Sequence, residues 1–138
     1  MIPTKRRDLV LDKYNISRSR YRELYYFCLQ YDERRRDIEK LQHQTPPKAD
    51  GMPRGGGISN PTERVGIKIA QLAMENKIME QAAIEASPDL CFWLLEAAKY
   101  DLKYDFLHLR EGMPCGKNEF QKLRHKFYYL LDQKKRNL

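Results

Sequence analysis

Glycine and proline partition this chain more sharply than any other feature. Seven of them crowd into residues 44–60, and neither type occurs between residues 17 and 43. Glycine loses much backbone entropy on folding and proline lacks an amide donor, so a long stretch without them favours helix and a crowd of them ends it. The partition predicts an all-α chain: a basic helical arm over 1–43, a flexible linker over 44–60 and a helical domain over 61–138. At 138 residues the chain suits one small domain with an extended arm, and a large multi-domain catalyst is excluded. The linker is no phosphate-binding loop, because the Gly-Lys-Ser/Thr ending and a preceding strand are both missing.

Within the arm, Tyr21, Leu24, Cys28, Tyr31, Ile38 and Leu41 recur at steps of three, four and seven, interrupted by Arg35. That is a coiled-coil-like stripe. Ser17 or Ser19 can cap its start. Arg34, Arg35 and Arg36 lie among acids at 32, 33, 37 and 39, so the run reads first as a solvated face and second as a phosphate or partner contact. Arg18 and Arg20 join it as auxiliary contacts. After the linker, Asn60, Pro61 and Glu63 make a helix start, with cap, first-position proline and returning acid. Val65, Ile69, Leu72, Met79, Ala83 and Ala86 follow it, and Asn76 fills the empty seam position. A seam Asn fixes register or oligomer state. Helices 17–43 and 61–86 therefore pair as an antiparallel hairpin or each meets its copy in a dimer, and both arrangements satisfy the pattern.

Ser87-Pro88-Asp89 restarts the chain with a cap, a proline and a first-turn acid. Leu90, Trp93, Leu94 and Ala97 form the inward face of the next helix. A short amphipathic helix follows over 102–111, with Leu102, Phe106 and Leu109 inward and Leu107 adjoining, and Gly112 stops it. Met113 to Gly116 make the turn. A last helix over about 117–135 has Phe120, Leu123, Phe127, Leu130 and Leu131 as its core stripe, which leaves Lys117, Asn118, Gln121, Lys122, Arg124, His125 and Tyr128 on or near the open side. Helix, glycine-marked turn and longer basic helix, over about 102–135, form the outline of a helix-turn-helix. Asn, Gln and Arg there suit base edges; Lys, His and Tyr suit phosphate or sugar.

Charge supports the same end of the chain. The net charge is +7, and residues 117–138 hold 7 basic against 2 acidic side chains. A positive face of that density attracts polyanions. Cys28, Cys91 and Cys115 are odd in number and widely spaced, so reduced thiols are expected. The longest apolar run, Leu90–Leu95, is far short of the roughly 20 residues of a membrane span, and the basic start, Lys5-Arg6-Arg7, has no apolar stretch of a secretory signal behind it. A cytoplasmic protein is expected.

The stretch Tyr104-Asp105-Phe106-Leu107, then Gly112-Met113-Pro114-Cys115-Gly116-Lys117-Asn118-Glu119-Phe120, then Arg124-His125-Lys126-Phe127-Tyr128 resembles the C-terminal half of ArpU-like late-gene transcriptional regulators. These belong to phages and prophages of Gram-positive bacteria, and their C-terminal domain is similar to region four of sigma factors. The chain departs from their pattern at Gly116, where a Ser-type cap is commoner, and at Glu119 and His125. The resemblance implies a phage-encoded regulator acting in the bacterial cytoplasm on double-stranded DNA, with host RNA polymerase or another host protein as a further partner and a homodimer as the working form. Two other roles fit small basic phage proteins: an inhibitor of a host nucleic-acid-processing protein, and a DNA-packaging adaptor. No metal, cofactor or enzymatic activity is expected, because no zinc-ligand spacing, nucleophile elbow or nucleophile with a nearby base occurs in the sequence.

Overall fold

The computed structural model describes residues 14–43 and 61–138, all helix and connecting turns with no strand among them. The start of the expected arm and the expected linker, 1–13 and 44–60, lie outside the described residues. The elements are α1 (Arg18–Leu29), α2 (Tyr31–His43), α3 (Pro61–Ala86), α4 (Cys91–Tyr100), a π-helical turn (Phe106–Arg110) and α5 (Lys117–Arg136). The all-α class and the helix starting at Pro61 are as expected. No described helix is long and apolar enough to cross a membrane.

The helix expected over 17–43 is two. Ser17 does cap it, accepting from the Arg20 amide at 3.1 Å, but the chain tightens at Gln30, whose amide bonds back to Phe27 at 3.2 Å before α2 begins. No glycine or proline marks the break. What holds it is tertiary: Tyr31 and Arg34 turn onto α3, where the Tyr31 hydroxyl donates to Glu80 and Arg34 Nε donates to Asn76 Oδ1 at 2.7 Å. These pairs run in opposite order along the two helices, so α2 and α3 form the antiparallel hairpin within one chain. The buried arginine is therefore Arg34, at 4% exposure, and not a solvated one as the sequence implied, while Arg35 and Arg36 stand exposed.

α3 is the central element. α2, α4 and α5 all pack on it, and α1 packs against α4 and α5. At 26 residues α3 is about 39 Å long, enough to serve every neighbour. Leu72, Met79, Ala83 and Ala86 of the predicted stripe are buried; Val65 and Ile69, toward its start, are half-buried. One core joins Leu24, Cys28, Met79, Leu94, Phe120, Phe127 and Leu131. On α4, Leu94 and Ala97 are buried as expected, whereas Trp93 and Leu90 only edge the core. Ser87 caps the turn before α4, its Oγ accepting from the Leu90 amide at 3.2 Å, and α4 itself starts later than expected, after Leu90, with no side-chain cap.

Candidate nucleic-acid interface

The segment before α5 departs from the sequence reading in its facing. Leu107 is buried at 1%, while Phe106 and Leu109, expected inward, are 42% and 75% exposed. A π-helical turn holds one residue more than an α turn, so it rotates every later side chain away from the 3.6-residue register. The same extra residue widens the closure: the Met113 amide reaches the Leu107 carbonyl at 3.0 Å, one residue farther back than the usual left-handed cap bond. Gly112 has φ of 72°, a conformation in which a Cβ is strained, so the stop is where the glycine placed it. Two side chains clamp the turn. Tyr104 donates its hydroxyl hydrogen to the Cys115 carbonyl at 2.6 Å, and His108 Nδ1, as donor, meets the Met113 carbonyl at 2.9 Å. The two rings stack at 5.2 Å.

α5 then starts at Gly116, which gives no side-chain cap, and runs with Phe120, Phe127 and Leu131 turned fully into the core. The seven residues expected on its open side separate into three groups. Lys117, Asn118 and Lys122 are exposed. Gln121 and Arg124 are half-buried and, with Lys117, face a cleft against α1. His125 and Tyr128, at 8% and 2% exposure, are inside the protein. That corrects the sequence reading for both, and for Tyr128 the reason is packing on two sides. A helix lying on α1 as well as α3 buries a wider arc than one stripe. The Tyr128 ring meets Tyr21 edge-on at 5.0 Å, and burial, more than any neighbouring charge, pushes its phenol well above the ordinary value.

The outer edge of α5 gains a residue that the sequence reading passed over. Lys126 is exposed, and the spacing 118, 122, 126 sets Asn118, Lys122 and Lys126 on one face, one turn apart. Among the described residues no carboxylate forms an ion pair with Lys117, Lys122 or Lys126. Toward the end of the helix Lys135 lies over the Phe27 ring at 5.1 Å, and two other cations are paired. Lys134 pairs with Glu85 of α3, and Arg136 Nε reaches Asp132 at 3.1 Å.

Of the auxiliary arginines, Arg20 is also taken: it pairs with the buried Asp132 and, at 3.2 Å, with Glu23. Arg18 is exposed at the start of α1. Arg34 is committed to α3, with its guanidinium 4.1 Å from the Phe27 ring centre, so it has nothing left for phosphate.

The cleft between α1 and α5 has a volume of about 560 Å³. Tyr21, Arg22, Tyr25 and Tyr26 of α1 form one wall, and the chain from Asp101 to Asp105 forms the floor. Asp101 closes α4 in the left-handed region, with φ of 54°. There its carboxylate accepts from Tyr25, whose phenol is pushed up to about 12, first by burial and then by this bond. Sequence reasoning found only the α5 wall. The α1 wall required knowing that α1 lies against α5, and the adjacent tyrosines at 25 and 26 were the one available signal. Among the described residues no three His, Cys, Asp or Glu side chains gather as a metal-binding group. No family model, curated protein or solved structure matches the chain.

Proposed function

We propose that this protein binds double-stranded DNA through α5 and serves as a phage-encoded transcriptional regulator, the role implied by the resemblance of its C-terminal stretch to ArpU-like proteins. The observation that carries the binding reading is the outer edge of α5. Lys122 and Lys126 keep their charges unpaired among the described residues, on the face that also carries the amide of Asn118. A phosphate backbone rewards such an edge, because each neutralised phosphate releases condensed counterions. Arg124 and Gln121, at the rim, are the side chains with base-reading chemistry. His125 and Tyr128 take no part in contact.

The test is a salt titration. With Lys122 and Lys126 each meeting a phosphate, the logarithm of duplex affinity falls against the logarithm of salt with a slope near −2. Replacing two exposed lysines, Lys122→Ala with Lys126→Ala, lowers that slope by about 2 and leaves stability within about 0.5 kcal/mol. Fluorescence anisotropy of a labelled duplex measures the first and urea unfolding the second. A slope near zero for the unaltered chain defeats the proposal.

A further inference from the structure

The cleft between α1 and α5 is not needed for an α5 edge that rides on a duplex, and its chemistry differs from that edge. Its size, about 560 Å³, falls within the roughly 300–1,000 Å³ of small-ligand sites. Arg22, Lys103, Lys117 and Arg124 line it against Asp101 and Asp105, so it has a net positive charge. Tyr25 and Tyr26 meet at 5.2 Å with their planes at 79°, and Tyr26 is 59% exposed. An aromatic residue with that much surface open beside a cationic wall offers a stacking face and an anion site within one span. Arg124 reaches into the protein as well, donating to the buried Tyr128 hydroxyl, which fixes its position at the cleft rim.

We infer that this cleft takes one unpaired nucleotide of a nucleic-acid strand, with the base on the open ring of Tyr26 and the phosphate held by Arg22, Lys117 and Arg124. Each part of a nucleotide has a counterpart there. The flat base suits the tyrosine, since every base has a π face and stacking tolerates any sequence. The phosphate suits the cations. The exposed carboxylate of Asp105 can accept from a base amine. Asp and Glu side chains supply anions but no flat ring for the tyrosine face, whereas a nucleotide joins both in one unit. The inference deepens the nucleic-acid reading and rests on it for the source of the nucleotide, yet it centres on the α1 wall, with Arg124 at the rim the two surfaces share.

The experiment compares three labelled probes on the full chain by fluorescence anisotropy: a single strand of about 8 nucleotides, an abasic strand of the same length and a duplex. The single strand is expected to bind about tenfold more tightly than the abasic strand, and Tyr26→Ala is expected to remove that difference. Arg22→Ala weakens both single strands. Lys122→Ala with Lys126→Ala weakens the duplex and leaves the preference for bases in place. Tyr26 and Arg22 are exposed, and circular dichroism checks that their variants stay folded. Equal binding of the natural and abasic strands, or a Tyr26→Ala chain that keeps the preference, overturns the inference. If the duplex binds and the single strand does not, the inference falls alone. If neither binds, the DNA reading falls with it.

Discussion

The α2–α3 seam and the α1–α5 cleft both set an arginine among aromatic rings, and they use it in opposite ways. In the seam, Arg34 is 4% exposed, its Nε occupied by Asn76 and its face laid on Phe27. Asn76 in turn donates to the Tyr31 carbonyl at 3.1 Å. In the cleft, Arg22 stands exposed beside Tyr25 and the open ring of Tyr26. The side-chain types match; the supply of protein acceptors does not. A guanidinium enclosed by protein acceptors becomes part of the core, because a buried charge is tolerated only when its donors are met. One left beside open rings keeps its donors for whatever enters.

The largest effect should come from breaking the seam. Asn76→Leu removes the acceptor of a buried guanidinium and the donor to the Tyr31 carbonyl, so it is expected to cost about 3–4 kcal/mol in urea unfolding. Adding Arg34→Leu takes away the stranded charge, and the double variant should recover a large part of that loss. A neutral Asn76→Leu would mean that the seam is no more committed than the cleft.

Arg20 sharpens the comparison from the other side. It neighbours the cleft wall in sequence, yet it is bound to Asp132, whose side chain is 3% exposed. Arg20→Met should therefore lower stability by about 2 kcal/mol, less than the seam because Arg136 still reaches Asp132. Duplex affinity and its salt slope should not change. A fall in both slope and affinity with stability intact would return Arg20 to the phosphate contacts the sequence implied.

Where sequence spoke through backbone chemistry it was legible. Pro61 and Gly112 mark a start and a stop because each permits one conformation cheaply, and the structure begins α3 and ends the π turn there. The buried arc of α5 was only half legible. Phe120, Phe127 and Leu131 advertise themselves by hydropathy, but Tyr128 is buried by a second neighbour, α1, whose position no local pattern states. The break at Gln30 and the π turn have different causes. The first is held by contacts distant in sequence, from Asn76 and Glu80, whereas the second is closed locally, by the Met113 amide on the Leu107 carbonyl. So the helices were readable, the hairpin was one of two readings, and the cleft, which exists only between helices, was not.

The smallest effect tests whether the seam stays closed when its hydroxyl ionises. Tyr31 donates to Glu80, and burial first, then that bond, pushes its phenol from 10.0 up to about 12. Below pH 10 the folded and unfolded chains both hold the proton, and the full contribution to stability is present. Between 10 and about 12 the unfolded chain has lost the proton while the folded chain keeps it, so stability falls as pH rises through this window. Tyr31→Phe should cost about 1.5 kcal/mol at neutral pH, the lower end for a hydrogen bond to a charged acceptor. Its disadvantage should then shrink across the same window, because phenylalanine has no proton to lose. Urea unfolding of both chains at several alkaline pH values measures the gap, and a gap that stays constant would show that Tyr31 ionises no later in the seam than in the unfolded chain.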